Sequence, residues 1–406
     1  MSKKLIILLT VFIDVLGIGI IIPVLPFYVE SLGASAFTVT LLFSVFSFFS
    51  FFSAPLLGAW SDKVGRRPVL IISILSTAIG WLVFAAANSV FFLFLGRIID
   101  GLAAGNFPIA QGYLLDIAKD EKEKTTNLGL IGAIFGVGLI IGPLIGGFLS
   151  SISVSFPFWF VGGLATLNFI LAFKNLPETN VNRNINKKIE LNPFKPLGRA
   201  FKNIKLRPGI IALFLFGLAL ASQQSTFSLF LDQEYNFTSI MVGFMTAGMG
   251  LVVIFNQAFA LKKVWLKYFR EENLVVWLML LLSIGFFLMG ITYLWVFIVG
   301  ILVIALAQSV LRAVMTSQIA KKGETGEQGL ILGVLNSVMS LSMIIGPLLA
   351  GFLFGLQTNL PFLAASFFGA AAFLILLIDC RRNNCQVSSI AEEEFIIAEQ
   401  KVDLIS

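Results

Sequence analysis

Twelve apolar runs, each close to membrane-crossing length, decide most of what this chain can become. They fall at about 5–29, 37–60, 69–87, 90–117, 127–150 and 157–174, then at about 208–231, 239–263, 274–290, 293–318, 329–355 and 360–379. A helix needs roughly 20 apolar residues to cross about 30 Å of hydrocarbon. Only helices and closed barrels satisfy every backbone polar group there, and these runs lack the alternation of barrel strands. The expected fold class is therefore all-α, a multi-pass membrane protein with twelve transmembrane helices. Composition agrees: 58% of residues are hydrophobic and 12% charged, against roughly a quarter charged in soluble domains.

The two sets of six runs are related. Residues 140–149 read IIGPLIGGFL and residues 344–353 read IIGPLLAGFL, identical at eight of ten positions. Ile117-Ala118-Lys119 finds a weaker echo in Ile319-Ala320-Lys321. A repeat of that length is a duplicated half rather than a solenoid unit. The organisation expected is a six-helix bundle at 1–174, a basic linker at 175–207, a second six-helix bundle at 208–379 and a tail at 380–406. The opening Lys3-Lys4 and apolar stretch superficially resemble a signal peptide. The run continues for about 25 residues, contains Asp14 and lacks a small-residue cleavage site, so it reads as a retained first span.

Charge sets the direction. Of 28 Lys and Arg, all but Arg97 and Arg312 fall at the N-terminus, in alternate connections or in the tail. By the positive-inside rule both termini are cytoplasmic, in a cell membrane. The +6 net charge thus reflects topology and lipid contact, not nucleic acid. In the linker, Phe194, Leu197, Phe201 and Ile204 recur at helical spacing with Lys195, Arg199, Lys202 and Lys205 between them. That pattern fits an amphipathic helix lying on the membrane, with a disordered basic linker as the alternative.

Several chemistries are excluded. The chain has no His and two Cys, so no metal site is expected, and no cofactor. Cys380 and Cys385 follow the last run and read as free thiols. Phosphate-loop, zinc-protease and serine-elbow signatures are missing, so the chain is not read as an enzyme.

Between the second and third runs lies Gly58-Ala59-Trp60-Ser61-Asp62-Lys63-Val64-Gly65-Arg66-Arg67-Pro68. Its glycines allow a tight turn, and an acid and a basic cluster stand four residues apart. Leu95-Gly96-Arg97 with Gly101 follows in the fourth run, and Gly138, Gly142, Pro143, Gly146 and Gly147 in the fifth. Asp14-Val15-Leu16-Gly17-Ile18-Gly19 precedes Pro23 and Pro26 in the first. Together these segments resemble the major facilitator superfamily: its loop signature, its fourth-helix arginine motif, its fifth-helix antiporter motif, and the first helix of its tetracycline/proton antiporter-like branch. The resemblance implies two six-helix bundles rocking about a central site, and a drug/proton antiporter of the multidrug efflux, antibiotic-resistance kind. It departs from that branch in one respect. Tetracycline antiporters carry an aspartate in the middle of the third helix, where this chain has no charge near Gly80, and the ninth run holds no acid either, so the substrate class stays open.

Asp14 lies about nine residues into its span, about 13 Å deep at 1.5 Å per residue. An ionisable group there costs about 2.5–3.5 kcal/mol and is a functional candidate by default; a carboxylate held by neighbouring helices for structure alone is the alternative. Arg97 and Asp100, three residues apart, share a helix face, and Gln111 joins that stripe if the helix is regular, although Pro108 is placed to kink it. The resemblance implies that Asp14, Arg97 and Asp100 couple protons; a structural ion pair between the last two is the alternative. It also implies a conformational lock formed by Gly58, Asp62, Gly65, Arg66, Arg67 and Asp116. Position 62 maps onto Leu266 in the second half, so the lock is expected in the first half only.

Gly132, Gly136, Gly138, Gly142 and Gly146 form a ridge for close helix packing. Gln111, Gln223, Gln224, Asn256, Gln257, Gln308 and Asn336 are the candidate substrate-binding residues, with interhelical hydrogen bonding as the alternative for each. The 42 Phe suit lipid contact first and an aromatic pocket second. The partners expected are a small-molecule substrate, protons and membrane lipid, with the protein a monomer. The reading is a proton-coupled antiporter exporting small amphipathic compounds by alternating access. A uniporter or proton symporter for a metabolite such as a sugar or amino acid is the alternative within transport, and a receptor that kept the fold lies outside it.

Overall fold

The computed structural model describes residues 2–180, 198, 200–321 and 328–382. Among them twelve helices are long and apolar enough to cross a membrane, and no strand occurs. In chain order they are α1 (Lys3–Ser31), α2 (Ala36–Val64), α3 (Arg66–Ala85), α4 (Val90–Asp116), α5 (Glu121–Ser150), α6 (Phe156–Asn175), α7 (Arg207–Tyr235), α8 (Ser239–Tyr268), α9 (Glu271–Met289), α10 (Leu294–Lys321), α11 (Ile331–Leu356) and α12 (Leu360–Arg382).

The apolar runs locate every helix but understate several at their charged ends. Helix α5 begins at Glu121 rather than near residue 127, because Asp120 caps it: its side chain accepts from Glu123 N at 2.6 Å, and Glu123 Oε2 accepts from Lys119 N at 2.9 Å. Capped polar turns carry the helix past the hydrocarbon. Helix α12 likewise runs past residue 379, so Cys380 is buried inside a helix, 3.9 Å from Asn273 Oδ1, and not in a tail. Of the amphipathic helix expected around residues 194–205, residues 194–197 and 199 lie outside the described residues, as does Cys385; residues 200–202 are helical and residues 203–205 are not.

Two compact units partition the chain. One comprises Met1–Lys195, Ala221–Gly250 and Met343–Pro361; the other comprises Pro196–Leu220, Leu251–Ser342 and Phe362–Ser406. In the first unit α1 packs along α5 through facing glycines. A Cβ on Gly142 would meet Gly19 Cα at 2.8 Å, one on Gly138 would meet Val15 Cγ1 at 2.8 Å, and one on Gly146 would meet Ile20 Cα at 3.0 Å. Without a hydrophobic force between helices in lipid, such backbone approach supplies the association. Gly138, Gly142 and Gly146 of the expected ridge make these contacts, whereas Gly132 faces open space.

The duplication is visible in contacts as well as letters. Helices α3 and α4 meet where a Cβ on Gly96 would lie 2.8 Å from Gly80 O, and in the second unit α9 and α10 meet where one on Gly300 would lie 2.7 Å from Gly285 O. The repeated glycine-proline segments also behave alike. Within the first unit Gly147 of α5 packs against Ile240 of α8, a Cβ there falling 2.9 Å from Ile240 Cα, and Gly351 of α11 packs against Thr40 of α2. Beside the former, Ser150 Oγ and Ser239 Oγ share a hydrogen bond of 2.6 Å.

Candidate functional site

The loop between α2 and α3 turns at Gly65, whose φ of 126° only glycine adopts readily. No side chain fits there for a second reason: its Cβ would collide with Glu178. That carboxylate caps α3, accepting from Arg66 N at 2.9 Å and Arg67 N at 3.2 Å, and it also accepts from Thr179 N and Asn180 N at 2.9 Å each. An anion at the first backbone N–H groups of a helix gains from unsatisfied donors and the helix dipole together. Glu178 thereby ties the segment after α6 to the start of α3.

Arg66 then reaches three partners. Its Nη1 lies 2.5 Å from Asp62 Oδ1 and donates to Ser61 Oγ at 2.8 Å; its Nε donates to Asp116 Oδ2 at 3.2 Å. Gly112 makes room on α4, since a Cβ there would lie 2.5 Å from Arg66 Cζ. Arg67 Nη2 donates to Phe173 O at 2.9 Å, Thr179 Oγ1 donates to Asp116 at 3.2 Å, and Asn180 Nδ2 donates to Asp62 O at 2.7 Å. Gly58 faces Pro108, with a Cβ falling 3.7 Å from its Cβ. The expected lock residues are thus gathered in one network. Glu178, Thr179 and Asn180, which complete it, carried no signal in the sequence beyond lying shortly after the sixth run.

A second cluster lies inside the helices. Asp14 Oδ1 accepts from Asn106 Nδ2 at 3.0 Å, and the same nitrogen donates to Thr77 Oγ1 at 3.1 Å. Asp14 is half-buried, whereas Asn106 and Thr77 behind it are buried. Asn106 reaches this position because α4 is interrupted. One segment ends at Leu102 and the next begins at Asn106. Ser73 of α3 brackets the gap, donating to Ala103 O and accepting from Gly105 N at 3.1 Å. The interruption breaks the helical phase between Arg97 and Gln111, so the single polar stripe expected of a regular helix does not hold. Pro108 was the only marker of it.

Arg97 and Asp100 are both buried, with Arg97 Nη2 3.7 Å from Asp100 Oδ2, longer than a hydrogen bond. The guanidinium is held instead by rings: its Cζ lies 4.5 Å from the centroid of Trp81, 4.9 Å from Phe84 and 5.3 Å from Phe46. Cation–π contacts of this kind contribute about 0.5–2 kcal/mol each. Trp81 and Phe84 continue into an aromatic group with Phe158 and Tyr28. Trp81 stacks on Phe158 at 6.0 Å, and the Tyr28 hydroxyl donates to carbonyls of Phe84, Ala85 and Ala87. The group seals one side of the Arg97 site with apolar bulk.

The candidate substrate residues divide between the two units. Gln111, Gln223 and Gln224 belong to the first, with Gln223 buried and the other two half-buried. Asn256, Gln257, Gln308 and Asn336 belong to the second. There α8 widens into a π-helix over Asn256–Trp265, a form common at functional sites. Asn256 donates to Leu306 O at 2.9 Å and Ser309 Oγ at 2.7 Å, and accepts from Trp265 Nε1 at 2.9 Å, so its side chain is occupied by α10 and by its own helix. Gln257 and Asn336 are exposed. Among the described residues no cluster of metal-binding side chains occurs.

Comparison with known proteins accords with this architecture. The family model of the Major Facilitator Superfamily matches residues 7–270. The class E tetracycline resistance protein of Escherichia coli is 30% identical over 353 residues, 86% of this chain and 86% of that protein. The quinolone resistance protein NorA of Staphylococcus aureus is 28% identical over 385 residues, 93% of this chain and 97% of that protein. The crystal structure of the human organic anion transporter MFSD10 superposes with a TM-score of 0.69 at 24% identity, covering 92% of this chain and 98% of that one. Twelve membrane-length helices, a duplicated helix plan and a family match over most of the chain lead to one conclusion: this protein belongs to the Major Facilitator Superfamily and is a multi-pass membrane transporter.

Proposed function

We propose that this transporter is a proton-coupled antiporter exporting small amphipathic compounds from the cytoplasm across the cell membrane. Both termini are cytoplasmic in this reading, and the protein works as a monomer in lipid. Asp14 carries the proton, with Arg97 and Asp100 beside it on α4. The Arg66–Asp62–Asp116 network is the cytoplasmic lock that holds one conformation until substrate or proton exchange releases it. The glycine-proline segments of α5 and α11 are the smooth surfaces over which the halves rock.

The observation that carries the proposal is Asp14 itself. A carboxyl in the middle of an apolar helix, bonded to a single amide and only half-buried, is both reachable by a proton and costly to leave charged. The tetracycline and quinolone resistance proteins it resembles favour export of drug-like compounds over uptake of a metabolite.

The test uses inside-out vesicles with a preformed acid interior and a pH-sensitive dye. Lipophilic cations, tetracyclines, quinolones, phenicols and sugars are added in turn. Alkalinisation on adding one compound, absent with Asp14→Asn, supports the antiporter and identifies its substrate class. Equilibration of a labelled compound with no proton movement overturns it in favour of uniport.

A further inference from the structure

We infer that Asn106 is a positioning residue that senses the protonation state of Asp14 and passes it to the α3–α4 contact; this rests on Asp14 being the proton carrier. Asn106 is buried, its Nδ2 donates to both Asp14 Oδ1 and Thr77 Oγ1, and its Oδ1 has no hydrogen-bond partner. An ionised carboxylate can only accept hydrogen bonds, whereas a protonated one has an O–H to donate. A carboxamide presents donors at one end and an acceptor at the other. The charged form of Asp14 therefore takes Nδ2, as in this arrangement. When Asp14 gains a proton, its O–H needs an acceptor, and a half-turn of the Asn106 amide offers Oδ1. The turn also removes Nδ2 from Thr77, whose hydroxyl is able to donate or accept in either state.

The location gives the turn a consequence. Asn106 begins the second segment of α4, immediately after the interruption that Ser73 of α3 brackets. Thr77 stands on the same helix as Ser73. Protonation of a residue on α1 thus changes the hydrogen bonds beside the interruption of α4, where a buried acceptor is unsatisfied in one state and bonded in the other. The charged groups of the cluster are Asp14, Asp100 and Arg97; Asp100 lies near Asp14 and within reach of the Thr77 hydroxyl that accepts from Asn106, and Arg97 Nη2 lies 3.7 Å from Asp100 Oδ2.

The test is infrared difference spectroscopy on the full-length protein in lipid, stepping the pH without substrate. A carboxylic C=O band lost in Asp14→Asn reports Asp14. The expected result is that Asn106→Leu moves this band to higher frequency, as a hydrogen-bonded carboxyl becomes free. Asn106→Ser, whose hydroxyl both donates and accepts and whose smaller bulk is less disruptive, should keep it near the wild-type position. A band removed by Asp14→Asn but unmoved in either Asn106 variant overturns the inference while leaving Asp14 as the carrier. A carboxylic C=O region left wholly unchanged by Asp14→Asn overturns the reading of Asp14 itself.

Discussion

Helix pairs α3–α4 and α9–α10 share one packing plan and differ at their charged ends. Each pair closes on two facing glycines, Gly80 with Gly96 and Gly285 with Gly300. At the charged end of the first, Arg66 opens α3 and bonds Asp116 at the close of α4, amid Asp62, Ser61 and Glu178. At the matching end of the second, Glu271 opens α9 and Lys321 closes α10, paired at 2.8 Å. The pairing is kept, but its sign is reversed and it is far more open, with side chains 38% and 63% exposed against 15% and 28% for Arg66 and Asp116. Backbone contact in lipid constrains both halves equally. If the first network is the proposed lock, its charge is carried in the first half, while the second half pairs Glu271 with Lys321.

The strongest test of the shared part is a side chain at the glycine contacts. Gly96→Val and Gly300→Val should both destabilise the folded protein, by about 1–3 kcal/mol or more from overpacking, read as a lowered unfolding temperature and reduced yield in detergent. A Gly300→Val protein as stable as wild type would break the equivalence of the two pairs.

The charged ends should separate the halves. Arg66→Ala leaves Asp62 and Asp116 without their shared partner and should reduce transport at least about tenfold, since a lost charged hydrogen bond costs about 1.5–3 kcal/mol. Lys321→Ala should change transport by less than about fivefold, because exposed ion pairs contribute about 0–1 kcal/mol. Efflux rates of the two variants at equal expression decide it; equal losses would give the second pair a locking role too.

A smaller effect is expected at the cap. Glu178→Gln keeps the shape and removes the charge at the start of α3, costing about 0.5–2 kcal/mol as a lost cap. Gly65→Ala adds both the φ penalty and the collision with Glu178. Combined with Glu178→Ala, it should cost less than the sum of the two single changes, a non-additivity that thermal unfolding of the four proteins measures.

What the sequence made legible follows from how loudly each residue speaks. Apolar length announced all twelve helices, and Asp14, Arg97 and Asp100 stood out because charges in such runs are rare. Arg66 and Asp116 were readable through the loop pattern. Asn106 and Thr77 were not, since uncharged polar residues are common in membrane helices and usually bond a neighbour. Glu178 stayed silent because a capping carboxylate 112 residues from its helix has no local pattern. The interruption of α4 hid among small residues, Gly101, Ala103, Ala104 and Gly105, with Pro108 as its only mark. The candidate substrate glutamines and asparagines fall in both units, and a polar residue alone does not distinguish a binding group from one such as Asn256, already occupied by α10.

The central claim is that Asp14 couples export to protons, and reconstituted proteoliposomes test it most directly by separating exchange from coupling. Using a compound found active in vesicles, one compares substrate–substrate exchange with accumulation driven by a pH gradient, in wild type and Asp14→Asn. The account predicts that the variant keeps exchange and loses gradient-driven accumulation. Accumulation by Asp14→Asn at the wild-type level would contradict it.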